Sequence, residues 1–312
     1  MKAFDKQIYS SLLVKGNLHE AIKYLESFPD QAELVEKYKE VFQNHQLLTR
    51  STNKVIDAVD KIYQAYYIDV FWHKENPQKA ELKLFENLWN YCGGNTKIAK
   101  DAFIELEVEK IIRNEGFEFL GGDTAGFYGP YIWATSVDET YEVELPYGVQ
   151  MYALTMMDGF ISRSWLDFLS FGKVGTGGWS GKDGTLCCIK SLYDIESQHF
   201  KISFLKHEAQ HTLDKKLYPH ITSTELEYRA KLVELIYWED EKIITMIFHD
   251  AENSDARNTH AVASHRIISD LSKRLFNVTY VNDLSMFLTK LDDIRNAAQA
   301  LLSEDAERLR NS

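Results

Sequence analysis

Two histidines four residues apart, with a glutamate directly after the first, constrain this chain more than any other feature. The stretch Phe204-Leu-Lys-His-Glu-Ala-Gln-His-Thr-Leu-Asp214 contains His207-Glu208-x-x-His211. On a helix, that spacing projects both imidazoles from one face, where they can occupy two corners of a tetrahedral Zn²⁺ site. Glu208 then lies beside the metal instead of on it. There it can take a proton from a water the metal activates and pass it to a leaving amine. Phe200, Phe204, Leu205, Ala209, Thr212 and Leu213 supply an apolar stripe, and Pro219 ends the run after Leu217. The pattern therefore predicts a helix over about 200–217. Three specified positions out of five also arise by chance, in roughly one chain in a hundred of this length, so the surroundings must decide.

The surroundings are those of a folded protein. At 312 residues, with 45% hydrophobic and 13% aromatic residues, the chain can build one large or two ordinary domains with a sizeable core. A net charge of −12 without any basic run excludes nucleic acid as the expected partner. Cys92, Cys187 and Cys188 make an odd count with no C-x-x-C spacing. They read as small packed residues, not ligands or bridges, and suggest a reducing compartment. Met1 to Ile8 has no apolar leader core, and no stretch approaches 18 uncharged apolar residues. The expectation is a cytoplasmic chain without a membrane span; a secreted protein stripped of its signal would read the same way.

Residues 1–115 read as all-helical. Ile8 to Leu25 resembles one tetratricopeptide-type hairpin, two helices joined at Gly16-Asn17 with small Ala21 at the crossing. A fainter echo follows Pro77, and no third copy is evident, so an ordinary helical domain is the competing reading. Such a domain could receive a protein partner. Gly93-Gly94 breaks the chain, and Asn95 or Thr96 can cap a helix over Ile98 to Ile112.

From Gly116 the texture changes to Gly, Thr, Tyr and Val. Strands are expected at Tyr131–Thr135, Tyr141–Leu145 and Gln150–Met156, with turns at Val137-Asp138-Glu139 and Pro146-Tyr147-Gly148. Ser164–Leu169 reads as a short helix. In Lys173 to Ile189, Asp183-Gly184 marks a hairpin turn. The glycine-rich arm before it, Gly175, Thr176, Gly177, Gly178 and Trp179, suits an edge strand to which an extended substrate could add. A phosphate loop would need a different spacing and a following helix. A plain core hairpin is the alternative. Downstream, helices are expected over Leu226 to about Ile247, about 261–275 and 282–309, with a break at Asn253-Ser254-Asp255.

A third metal ligand must come from elsewhere. Leu217 stands where a histidine six residues on would complete one known arrangement, and His220 is offset too far for it and sits beside Pro219. In the glutamate-zincins the third ligand comes from a separate downstream helix, where Glu225, Glu227 and Glu234 are available. Glu227-Tyr-Arg-Ala230 resembles the Glu-x-x-Ala segment of the CAAX-protease-like and HtpX-like zinc metalloendopeptidases, which belong to the glutamate-zincins (gluzincins). Thr259-His260 with Arg266-Ile267 and Leu271 is similar to a further segment of that family. Together with the first motif, the resemblance covers about residues 200–275. It implies Glu227 as third zinc ligand and His260 and Arg266 as groups facing substrate and oxyanion. Thr224-x-x-Glu227 is also a capping box, in which the glutamate would only close a helix start.

The chain departs from the family at Lys231, where an aspartate would orient a zinc-bound histidine; Glu234, one turn on, can supply that carboxylate. Ala261 replaces a proline, and the family's membrane spans are absent. Six residues along one helix leave His260 and Arg266 about 120° apart, so they converge only if the helix starts after His260. Otherwise Arg266 pairs with a surface acid and His265 turns to the metal.

The expected fold is α+β, an N-terminal helical domain (1–115) followed by a zincin-like domain (116–312) with a small mixed sheet, the active helix and C-terminal helices. The expected activity is that of a zinc metallopeptidase acting on a peptide or protein. One Zn²⁺ would be held by His207, His211 and Glu227, with Glu208 as general base and His260 and Arg266 on the oxyanion. The alternatives are a binding protein with a vestigial site, or a zinc hydrolase with a non-peptide substrate.

Overall fold

A computed structural model describes residues 4–93, 102–181, 183–251 and 258–311. In chain order the helices are α1 (Lys6–Val14), α2 (Leu18–Leu25), α3 (Ala32–Tyr38), α4 (Lys54–Tyr67), α5 (Pro77–Tyr91), α6 (Ala102–Asn114), α7 (Ser164–Leu169), α8 (His207–Leu217), α9 (Ser223–Tyr237), α10 (Lys242–Ala251), α11 (Thr259–Phe276), α12 (Leu284–Leu288) and α13 (Leu291–Arg310). The strands are β1 (Glu118–Leu120), β2 (Asp123–Thr124), β3 (Phe127–Tyr128), β4 (Tyr131–Trp133), β5 (Thr135–Leu145), β6 (Gly148–Asp158), β7 (Ser162–Arg163), β8 (Gly178–Ser180) and β9 (Leu186–Ile189). Three π-helical segments, Lys39–Gln43, Ile68–Trp72 and His199–Lys206, are interleaved with them. The fold is mixed α and β with a helical N-terminal region. The expected cap at Asn95 or Thr96 and the break at 253–255 lie outside the described residues.

Two compact units emerge, 1–136 with 157–176, and 137–156 with 177–312. Residues 116–136 and 157–176 therefore group with the helical segment, across the 115/116 boundary expected from composition. The reason lies in the core: Ile132, Trp165, Phe168 and Leu169 are buried in one cluster with Leu13, Tyr38, Phe42 and Tyr67. Within this first unit α1 and α2 form the expected hairpin. Gly16 at its turn has φ +69°, and a Cβ there would meet the Phe71 ring at 2.9 Å. Ala21 at the crossing is wholly buried. A charged lattice holds the far side: Arg50 grips both oxygens of Asp60 (2.6 and 2.8 Å) and reaches Asp167 (2.8 Å).

The second unit is organised by a four-stranded sheet of order β5-β6-β9-β8, so β5 and β8 are its outer strands. β5 passes straight through Val137-Asp138-Glu139, where a turn was expected. Pairing with β6 overrides the polar local sequence, and Thr155 donates to Asp138 across the two strands at 2.7 Å. The turns at Pro146-Tyr147 and Asp183-Gly184 form as expected; Gly184 takes φ +90°. One core cluster joins the inner sheet face, Val143, Tyr152, Leu154 and Cys188, to Phe200, Phe204, Leu213, Leu232 and the C-terminal helices.

Two expected long helices are each broken. α9 stops at Tyr237 because buried Trp238 turns extended (ψ 136°); its indole and the Lys242 amide both donate to Asp240, which starts α10. The helix expected over 282–309 divides at Thr289-Lys290, where Phe287 turns inward with no exposure. The three cysteines are free thiols. Among the described residues no helix is long and apolar enough to cross a membrane.

Candidate metal centre

The motif sits where a π-helical lead-in, His199–Lys206, becomes the α-helix α8 at His207. The lead-in is anchored by Phe200, Ile202, Phe204 and Leu205, all buried, with Phe200 and Phe204 stacked at 5.6 Å. Such π turns concentrate at functional positions in helices. Tyr152 of β6 donates to the Ala209 carbonyl (3.1 Å), tying α8 to the sheet between its two histidines. Both imidazoles leave one face of α8, with ring centres 4.5 Å apart, and both are almost fully buried.

The facing helix α9 completes the arrangement. Its N-cap is Thr222, and the capping box closes with Glu225, whose carboxylate also binds Arg308 at 2.7 Å. The box thus belongs to Glu225, which leaves Glu227, about 200° further round the helix, free to turn inward. Glu227 lies 3.5 Å from His207 Nε2 through one oxygen and 3.7 Å from His211 Nε2 through the other. These separations are too long for hydrogen bonds. Two ligand atoms on one tetrahedral zinc stand about 3.4 Å apart, given bonds near 2.1 Å. His211 Nε2 and Glu227 Oε2 are moreover buried without a hydrogen-bond partner. Unsatisfied buried polar atoms at ligand-to-ligand distance fit a zinc ion, and we treat the residues as able to hold one.

His207 is fixed from behind. Its Nδ1 lies 2.7 Å from Glu234 Oε1, so the ring donates there and turns Nε2 toward Glu227 and His211. Glu234 is thus the carboxylate behind His207, and Lys231 pairs with Asp250 at 3.0 Å. Electrostatics agree that positive charge belongs here. Burial works against an imidazolium at His207, but Glu227 and Glu234 on either side push its pKa up to about 10. Burial also tends to raise the Glu227 carboxyl, yet His207 and His260 hold it well below the usual carboxylate range. In the metal-free protein a proton supplies the charge that a metal would replace, since ligation needs the neutral ring.

Glu208 is part-exposed, with Oε2 3.5 Å from His211 Nδ1. Burial would raise its pKa, but His211 and His207 outweigh that and keep it an anion. His207, Glu208 and His211 offer ligand atoms within 4.8 Å of one another. His260 lies nearby: Nδ1 is 2.9 Å from Glu227 Oε2, though not aligned for a hydrogen bond, and its side chain is 58% exposed. It lies in the first turn of α11, capped by Asn258, not in a preceding loop.

Because α11 starts at Thr259, the 120° divergence applies and Arg266 is not brought to the site. Its guanidinium reaches Asp305 (2.6 Å) and covers the Tyr228 ring (3.6 Å). His265 stacks on Tyr280, away from the ligand atoms. Of the glycine-rich arm, Gly178 and Trp179 lie on β8, an outer strand, and Gly177 leads into it. A Cβ at Gly178 would meet the Phe204 ring at 2.4 Å, and one at Gly177 the Tyr193 hydroxyl at 2.1 Å. The glycines thus let the strand close onto the helix that carries the motif. Gly175 and Thr176 precede this strand and group with the other unit. A cavity of about 370 Å³ beside Tyr141, Phe200 and Lys206 contains none of the ligand residues.

One feature escaped the sequence reading. Arg229, with no exposure at all, donates to Asp214 (2.9 Å) and approaches Asp305 (3.4 Å), locking α8 to α9 and α13. Asp214 falls one turn after His211 on the buried side of α8, and a carboxylate there is the signal that a cation must answer it. No family model matches the chain, and neither a curated protein nor a solved structure is significantly similar to it.

Proposed function

We propose that the protein is a zinc-dependent metallopeptidase of the glutamate-zincin type, with His207, His211 and Glu227 as ligands. The observation that carries the reading is the convergence of His207 Nε2, His211 Nε2 and the Glu227 carboxylate, from two helices, at 3.5 and 3.7 Å with buried atoms left unsatisfied. Zinc, when bound, supplies a Lewis acid that polarises a carbonyl and lowers the pKa of a water towards about 7. Glu208, an anion held beside but outside the ligand triangle, accepts the proton of the attacking water at its carboxylate and returns it to the departing amine. Glu234 keeps His207 in the tautomer with Nε2 free. His260, exposed and next to Glu227, is placed to donate to the developing oxyanion.

The decisive experiment pairs metal content with hydrolysis. Desalted wild type should retain about one zinc per chain and cleave an unfolded protein such as casein. Glu208→Gln should keep the zinc and lose cleavage, and His211→Ala should lose both. Wild type without zinc after metal-replete expression, or Glu208→Gln as active as wild type, would refute the assignment.

A further inference from the structure

The first unit carries a second pair of imidazoles, far in sequence from the motif. His73 Nε2 and His45 Nε2 lie 3.2 Å apart, with ring centres separated by 5.0 Å and planes at 31°. Both side chains are exposed. A straight N–H···N hydrogen bond would align the two rings and hold their centres about 5.5 Å apart. The observed separation is shorter, so the two rings, within hydrogen-bonding distance of each other, are not collinear. Two imidazoles meeting one metal at an angle near 100°, with bonds of about 2.05 Å and about 1.15 Å from ring centre to nitrogen, reproduce both the 3.2 Å and the 5.0 Å.

The backbone beneath the two rings is built alike and unusually. Each histidine follows a π-helical segment, Lys39–Gln43 or Ile68–Trp72, and these two segments pack together through Phe42 and Trp72. Two residues beyond each segment the backbone turns left-handed, at His45 itself (φ 56°) and at Lys74 (φ 53°), which follows His73. Beyond each, an amide bonds back six residues: Gln46 to the Glu40 carbonyl (3.1 Å) and Glu75 to the Asp69 carbonyl (3.0 Å). Glycine ordinarily takes this position, because a side chain there costs on the order of 1 kcal/mol. Two such residues in one small region constitute strain that surface placement alone does not require. Their effect is to fix the backbone under both imidazoles, so that the rings meet without further ordering. The acids on the same stretch, Asp69 and Glu75, are engaged by Lys83 and Lys79.

We propose that His45 and His73 form a two-imidazole clamp for a divalent transition ion of the zinc, nickel or copper class, with water filling the remaining positions. Imidazole nitrogen suits these ions and not magnesium or calcium. With two protein ligands the clamp is an exchangeable site, loaded by added metal, in contrast to the buried three-ligand centre. The clamp does not depend on the peptidase reading.

The test titrates full-length His211→Ala with Cu²⁺ and with Ni²⁺ and follows binding by calorimetry and, for copper, electron paramagnetic resonance. One equivalent should bind, with a nitrogen hyperfine pattern from two imidazoles. His73→Ala and His45→Gln, added to that background, should each weaken binding at least tenfold and remove one nitrogen from the spectrum. Both positions are exposed, so melting curves of the metal-free variants should coincide with their parent. If one variant nevertheless misfolds, the other decides, because His207 and His260 remain beside Glu227 in the parent and only a loss of binding at His45 or His73 assigns the signal to the clamp. Absence of saturable binding in the parent, or binding unchanged by both substitutions, overturns the clamp. In wild type, loss of the tight zinc with retention of this site would count against the peptidase centre only.

Discussion

On the zinc reading proposed above, the bond from His207 Nδ1 to Glu234 Oε1 would separate an organised metal centre from a coincidence of spacing, and its removal has a calculable cost. At 2.7 Å it is short, buried at both ends and charge-assisted. It fixes the ring orientation that would present Nε2 to a bound metal. Losing such a carboxylate behind a ligating histidine lowers metal affinity by about 10–100-fold, which is about 1.4–2.7 kcal/mol. Glu234→Gln keeps an acceptor of the same shape without the charge and should fall at the lower end. Glu234→Ala removes acceptor and charge together and should approach the upper end. The assay is competition for zinc against a chromophoric chelator at neutral pH, with the melting curve of the metal-free protein as control. Wild-type affinity in Glu234→Ala would refute the orienting role. A loss as complete as that of His207→Ala would refute it from the other side, because Glu234 would then be a ligand itself.

Three further outcomes follow from the same geometry. Glu227→Ala should abolish zinc retention, whereas Glu225→Ala should keep zinc and lose about 0.5–2 kcal/mol with its helix cap, read as metal content and melting of each variant. Arg229→Ala strands the buried Asp214 and should cost about 3–5 kcal/mol, lowering the melting midpoint by roughly 10 °C; a shift of a degree or two would mean that water solvates the pair. His260→Ala should cut kcat on the order of a hundredfold at unchanged zinc content, while Arg266→Ala should leave kcat within about twofold; equal effects would restore Arg266 to the site.

Local pattern proved readable wherever the determinant lies within one turn of chain. The i,i+4 spacing of His207 and His211 needs only helix geometry, and Ser164–Leu169, the α1–α2 turn and the Asp183-Gly184 hairpin need only their own residues. Capping was readable in kind but not in register. Thr222-x-x-Glu225 and Thr224-x-x-Glu227 both satisfy the same box, and they differ only in what the spare glutamate meets across the gap. A glutamate released two residues later finds two imidazoles; one released two residues earlier finds Arg308. The choice is tertiary, and no window on α9 alone contains it. The same holds for β5, where pairing overrides a turn-like Val-Asp-Glu, and for Trp238, whose burial in the core breaks a helix that periodicity would continue.

His260 and Arg266 show how far a single boundary propagates. Six residues of helix separate two side chains by about 120°, so whether both reach one site depends on where the helix begins. Asn258 accepts from the amides of His260 and Ala261, at 3.1 and 3.3 Å, and so starts α11 before His260. His260 then falls on the side of Glu227 and Arg266 on the side of Tyr228 and Asp305. Asp305 is buried and already faces Arg229 and Arg308, so Arg266 adds charge to a network whose work is to hold α13 against α9 and α11. A cap two residues later would have allowed the two side chains to converge. With the cap at Asn258, this segment brings His260 and not Arg266 to Glu227, and on the peptidase reading proposed above any further stabilisation of an oxyanion would have to come from backbone or from residues outside α11.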